Sequence, residues 1–280
     1  MTKWNIICDS SCDILSLDGM SKDTRFGIAP LKILLGEETF VDDETLDIKK
    51  MMTAMSQNKG VSSSSCPSPF EWLEQFERAE NTIAITISSE LSGSYNSAIV
   101  AKGMLFEKCP TSKIHIINSK SVSGTMILLA KKANQLISAG LSFEEIVNEL
   151  DQYNNTMQLT FCLENYSTLI KNGRMHPLVG AVAAALNIRA VAIKSSKGDI
   201  QVISKQRGAQ NTYKYMVNQM MEKKQLCNLP IYINHCNNAE GAHTIKNLLK
   251  EQGGCVDVTI VETRALCSYY ANNGGIIVSY

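Results

Sequence analysis

Short apolar runs alternate with amphipathic stretches through the first half of this chain, and that alternation narrows the possible folds more than any other feature. Asn5–Cys8, Thr82–Ile87 and Lys113–Ile117 have the length and β-branched content of buried strands. Between and after them come helical patterns. Phe70–Ala79 reads as a helix entered through Pro67 and Pro69, and another helix runs from about Ser94 to Phe106. Met126, Leu129, Ala130, Ala133, Leu136 and Ile137 trace one helical face that Gly140 stops. Ser142 with Glu145 is a capping box for the helix that follows. Strands and helices in this order predict a mostly parallel sheet flanked by helices.

The second half reads differently. Leu159–Glu164 is a strand, and Ala190–Lys205 is an antiparallel hairpin turning at Ser195–Asp199. A helix over about Gln210–Lys224, a strand at Ile231–Asn234, a helix at Glu240–Gln252 and a strand at Val256–Val261 follow. The expected fold class is therefore α/β in two domains, residues 1–155 and 156–280, the second with antiparallel strands and the boundary near Tyr153–Gln158. The 280 residues, 44% of them hydrophobic, supply a core for each.

Several strands of the first half run into hydroxyl-rich turns. Asn5–Cys8 leads into Asp9-Ser10-Ser11, Thr82–Ile87 into Ser88 through Ser94, and Lys113–Ile117 into Asn118 through Gly124. A further run, Ser62–Ser65, precedes the helix after Pro67. In a parallel sheet the carboxyl ends of the strands share one edge, where ligands bind. A helix start offers unpaired N–H groups and a dipole that favours an anion. N-capping accounts for one serine per turn, but Ser89, Ser92 and Ser94 together, or four serines in a row, exceed what a cap needs.

Composition narrows the ligand. Formal net charge is zero, without the basic footprint of a nucleic-acid binder. The nine cysteines include no C-x-x-C pair, so they read as reduced thiols rather than zinc ligands. The opening MTKWNIICDSSCD lacks a secretory apolar core, and no apolar run approaches a membrane span. The expectation is a cytoplasmic protein without stable membrane insertion. Neither G-x-G-x-x-G nor the phosphate-binding G-x-x-x-x-G-K-[ST] occurs. G-x-S-x-G is also missing, and no motif ties His115, His176, His235 or His243 to a serine. A carboxylate or a single phosphate held by hydroxyls and N–H groups, with no metal or cofactor, fits these turns.

The order of these segments resembles the DegV family of bacterial fatty-acid-binding proteins. The resemblance rests on CDSSCDI, FVDDETL (Phe40–Leu46), SSCPSP (Ser64–Pro69), ISSELSGSYNSA and NSKSVSG. It continues through LENYSTLIKNGRM (Leu163–Met175), ALNIRAVAI (Ala185–Ile193), Lys205–Arg207, HCNNAEGA (His235–Ala242) and a terminal Gly-containing strand. It implies a long-chain fatty acid buried between two α/β domains and presented to a separate fatty acid kinase, the binding protein being a carrier rather than an enzyme. The family's Thr-Ser and Ser-Gly-Thr motifs, which hold the carboxylate, correspond to Ser64-Ser65 and Ser92-Gly93-Ser94. Arg174 falls in the family's Gly-Gly-Arg motif near the cavity mouth, ahead of an apolar helix. The C-terminal His-x-Gly-Pro segment is replaced by SYYANNGG, with Tyr270 in the histidine's place, and Ala190 stands where proline is usual.

Two other classes remain open at the level of sequence. One is a metal-independent hydrolase or phosphotransferase with Ser92 as nucleophile and Asp9 nearby, which lacks an evident general base. The other is a diverged sensor or structural member that no longer binds lipid.

Overall fold

The computed structural model describes residues 2–176 and 187–280. The chain forms two compact units. The first comprises Met1–Val122, Met126–Met157 and Arg264–Leu266; the second comprises Ser123–Thr125, Gln158–Thr263 and Cys267–Tyr280. The two-domain α/β class expected from the alternation is the class observed: a helix-flanked parallel sheet and a separate mixed sheet.

In the first unit, the strands are β1 (Thr2–Asp9), β2 (Thr24–Ala29), β3 (Lys32–Leu35), β4 (Glu38–Val41), β5 (Ser62–Ser65), β6 (Ala79–Thr86) and β7 (Lys113–Asn118). Its helices are α1 (Ile48–Gln57), α2 (Pro69–Phe76), α3 (Ser94–Lys108), α4 (Gly124–Ser138) and α5 (Phe143–Thr156). A short 3-10 turn, Ser10–Cys12, follows β1. The parallel sheet has the order β2-β1-β6-β7, with Ile6, Ile7 and Cys8 in register with Ile83, Ala84 and Ile85. Strands buried on both faces have no alternation to show, which is why they read as continuous apolar runs. On one face, Trp72, Leu73 and Phe76 of α2 pack with Ala98, Ala101 and Leu105 of α3 over Ile7, Ala29 and Ala84. The Ser142–Glu145 capping box forms as expected.

The second unit holds β8 (Leu159–Leu163), α6 (Ser167–Lys171), β9 (Ile188–Lys194), β10 (Ile200–Arg207), α7 (Ala209–Lys223), β11 (Ile231–His235), α8 (Ala239–Gly253), β12 (Val258–Glu262) and β13 (Ile276–Ser279). These strands form a six-stranded sheet in the order β10-β9-β8-β13-β11-β12. Only β11 and β12 run parallel; the other neighbours are antiparallel. The predicted hairpin is β9–β10, closed by Ser195 N–H to Asp199 O at 2.9 Å. Tyr213, Met216, Val217 and Met220 of α7 meet Ala242, Ile245 and Leu249 of α8 over this sheet. The helix α9 (Ala265–Ala271) precedes β13.

Several elements differ from the sequence expectation. The helix expected over Phe70–Ala79 ends at Phe76, and Ala79 already opens β6. Ser62–Ser65 is not a turn but a strand, paired antiparallel with β3. Serine has little strand preference of its own; the pairing with Ile33 and Leu35 overrides it. Tyr270, in the place of the family's histidine, lies in α9. The apolar helix expected after Arg174 falls on residues outside those described.

Candidate functional site

Asp9 closes β1 and is fully buried. Its carboxylate accepts from Ser11 N–H at 3.3 Å, from the Ser11 hydroxyl, from Ile87 N–H at 2.9 Å and from Ser94 Oγ at 2.7 Å. These donors come from the turns after β1 and β6 and from the first residue of α3, so one carboxylate ties three segments together. Burial pushes the Asp9 carboxyl above its ordinary range, against the pull of these hydrogen bonds. The turns after β6 and β7 are cross-linked as well. Ser88 N–H donates to Ser121 O at 2.8 Å, and Asn118 Nδ2 donates to Ser89 Oγ at 2.7 Å. Part of the serine excess is therefore architectural, with the hydroxyls of one turn serving the next.

Ser92-Gly93-Ser94 forms the entry to α3. Gly93 is the N-cap and supplies no side-chain cap. Ser92 Oγ accepts from Ser94 N–H at 3.3 Å, which leaves its hydroxyl hydrogen to donate elsewhere. The Ser94 hydroxyl, in contrast, is directed inward to Asp9. The segment around Ser64 approaches this same entry. A Cβ on Gly93 would stand 3.3 Å from Cys66 Sγ, and Ser97 Oγ donates to Pro67 O at 2.6 Å. SSCPSP and SELSGSYNSA thus meet in space. Within β5, Ser64 is in register with the buried Ile33 and Ser65 with Lys32, so the two side chains point to opposite faces of their sheet.

An uncapped helix start beside two serine segments can hold an anion through N–H and O–H donors without a full cationic partner. It is less suited to nucleophilic catalysis. Asp9 is engaged by Ser11, Ile87 and Ser94, and the bond that Ser92 Oγ accepts comes from a backbone N–H. His115 faces Asp151 at 2.9 Å.

Arg174 and Tyr270 belong to the second unit. Arg174 is exposed; its guanidinium donates to Asn172 O, and its N–H to Leu169 O at 2.8 Å. Tyr270 is half-buried and packs edge-on against Tyr269, with ring centroids 4.9 Å apart. Fully buried Tyr269 receives Asn172 Nδ2 on its hydroxyl at 3.0 Å, linking α9 to the loop that carries Arg174. Residues of the other motifs bond within the fold. Arg189 joins the Glu164 carboxylate and donates to Tyr213 OH at 3.1 Å. Asn238 Nδ2 reaches Tyr213 OH at 3.0 Å and Gly274 O at 2.8 Å. In the first unit, Asp42 of FVDDETL is buried against Arg264 Nε at 3.1 Å, and Asp13 accepts Arg264 N–H at 2.8 Å.

In the sequence Asp9 reads as the opening of a hydroxyl-rich turn and as a neighbour of Ser92, Cys66 only as part of SSCPSP and Tyr269 only as part of SYYANNGG. The one available signal was an acid closing a strand in a hydroxyl-rich turn. Its partner Ser94 is 85 residues away, and no local pattern announces such a pair.

Comparison with known proteins agrees with the motif order. The DegV family of uncharacterised proteins matches residues 3–280. A DegV domain-containing protein of Streptococcus pyogenes is 39% identical over 277 residues, 99% of each chain. Among solved structures, the Fatty Acid Kinase (Fak) B3 protein of Streptococcus pneumoniae, loaded with linoleic acid, is 37% identical with a TM-score of 0.96 over 99% of each chain. A DegV family protein of Eubacterium eligens, loaded with heptadecanoic acid, is 33% identical with a TM-score of 0.93 over 99% of this chain and 98% of that one. A Ruminococcus gnavus family member refined with vaccenic acid is 32% identical with a TM-score of 0.91 over the full length of both. With a family match across nearly every residue and relatives of this identity over their whole length, the chain belongs to the DegV family.

Proposed function

We propose that this protein binds a long-chain fatty acid and carries it to a separate fatty acid kinase. The observation that carries the reading is the uncapped start of α3, where Gly93 meets Cys66 and Ser92 keeps a hydroxyl hydrogen to donate. The carboxylate rests on Ser92, on the Gly93 N–H and on Ser64. Ser65 faces away from Ser64 and positions the segment. Ser94 contributes through its N–H, which holds Ser92 Oγ, and through its hold on Asp9. Arg174 and Tyr270 are assigned to the acid and the partner: Tyr270 as a neutral donor, Arg174 as a guanidinium suited to carboxylate or phosphate. The fatty acids in three family structures and the kinase in the name of one relative support the reading.

The alkyl tail supplies the affinity. At about 0.8 kcal/mol per buried CH₂, some fifteen methylenes give a gross gain of roughly 12 kcal/mol, from which ordering costs are subtracted. Neutral donors then need only to orient the head group. The carrier role is tested by denaturing purified protein and analysing the extract by mass spectrometry. One equivalent of a long-chain acid is expected; an empty protein that also fails to take up added acid sinks the reading and favours a diverged sensor. Transfer is tested by supplying the loaded protein to a bacterial fatty acid kinase with ATP. Arg174→Ala should slow acyl phosphate formation or weaken binding; normal values of both remove Arg174 from the function.

A further inference from the structure

A second polar cluster lies under α2, away from the serine turns. Asn5 on β1 stands in register with Arg25 on β2 and with Thr82 on β6. In-register residues of parallel strands share a face. Asn5 Nδ2 donates to Gln75 O at 2.8 Å, which marks that face as the one α2 covers. Asn5 and Thr82 are fully buried. Yet Asn5 Oδ1, Thr82 Oγ1, Gln75 Oε1 and Arg25 Nη1 are buried atoms with no hydrogen-bond partner among the described residues. Native structures leave few such atoms, and several in one place call for a common partner such as a water or an ion.

The geometry also brings charge there. A Cβ on Gly27 would stand 2.8 Å from Gln75 Oε1 and 3.4 Å from Arg25 Nη2, so the amide and the guanidinium converge above this glycine. Burial, and after it the positive charge of Arg78, holds the Arg25 guanidinium below its ordinary pKa. Among the described residues, no ion pair involves Arg25 or Arg78. β2 is the edge strand of its sheet, and Arg25 is half-buried on it.

We propose that Asn5, Arg25, Gln75 and Thr82 form a binding site for a small protonated oxyanion of the hydrogen-phosphate class. Its anionic oxygens accept from Arg25 Nη1, with Arg78 adding long-range attraction. Its hydroxyl donates to Asn5 Oδ1 or Gln75 Oε1, and Thr82 Oγ1 serves either way. Sulfate has no hydrogen to give and would set its oxygens against the amide oxygens. Water satisfies the amides but brings no charge to the arginines. The site is independent of the fatty-acid reading and uses none of its residues.

The test is titration of the full-length protein with inorganic phosphate near neutral pH, followed by calorimetry and by melting temperature, with sulfate at equal ionic strength as the control. Saturable phosphate binding that raises the melting temperature is expected, with sulfate weaker by about tenfold or more because buried acceptors stay unpaired. Arg25→Gln and Thr82→Val should each abolish the phosphate response, the latter being isosteric and expected to fold. Arg78→Gln should weaken it. No phosphate response in the wild type, an equal response to sulfate, or an undiminished response in folded Thr82→Val would overturn the proposal.

Discussion

Ser94 Oγ donates to Asp9 Oδ2 at 2.7 Å, so the last hydroxyl of the Ser-Gly-Ser turn faces the core rather than a ligand. Ser94→Ala removes a bond to a buried carboxylate. A hydrogen bond to a charged group contributes about 1.5–3 kcal/mol, and urea denaturation should show a loss of that order. Ser94→Thr keeps the hydroxyl and should retain most of the stability. If Ser94→Ala weakened fatty-acid binding while leaving stability intact, the hydroxyl would be a ligand contact instead.

Asp9 gives a pH signature. Its native carboxyl is held above the unfolded value, chiefly by burial. The folded state therefore keeps the proton where the unfolded state has lost it, and this group's contribution to stability rises as pH falls through the native pKa, becoming complete below the unfolded value of about 3.9. Asp9→Asn does not titrate. The stability gap between wild type and Asp9→Asn should widen as pH is lowered from about 7 toward 4. A gap that narrows would show that the donors from Ser11, Ile87 and Ser94 outweigh burial.

Ser92 has the opposite profile to Ser94. Its oxygen accepts from Ser94 N–H at 3.3 Å, and its hydrogen remains to donate to the proposed carboxylate. Ser92→Ala should weaken fatty-acid affinity by about tenfold or more, the equivalent of one charge-assisted hydrogen bond, with a much smaller change in melting temperature. Unchanged affinity in the folded variant would take Ser92 out of the site.

Tyr270 separates a neutral head-group site from a charged one. Its ring leans on Tyr269, so Tyr270→Phe keeps the packing and loses only the phenolic donor. Acid binding should fall while the melting temperature of the lipid-free protein barely changes. Tyr270→His should restore or tighten binding below pH ~6.5, where an imidazole becomes charged. Wild-type behaviour of both variants from about pH 5 to 8, the range where histidine titrates, would show that Tyr270 does not correspond to the family's histidine.

Periodicity alone revealed most of the framework. Runs such as Thr82–Ile87 and faces such as Met126–Ile137 are local patterns, and burial of those side chains leaves few alternatives to a strand or a helix. The capping box at Ser142–Glu145 was legible because both partners lie within one helical turn. The short strands between Thr24 and Val41 were not legible, nor was the serine strand β5. Ser62–Ser65 becomes a strand because β3 offers it a hydrogen-bonding edge, and nothing in four serines specifies that edge.

The serine turns mark the same division. Their residue types, their place after strands and their excess over capping needs were visible in the sequence and pointed to an anion. Which hydroxyl faces the core and which keeps a hydrogen to donate is set by contacts between distant segments. Asp9 claims Ser94, while Ser92 is left with a hydrogen to donate. Ser64 and Ser65 look equivalent in sequence but diverge because successive residues of a strand alternate faces. Tyr269, not its neighbour, is the buried link to Asn172. Composition and spacing determined the kind of chemistry; the tertiary structure assigned each hydroxyl its role, because a hydroxyl's direction depends on partners the chain supplies from tens of residues away.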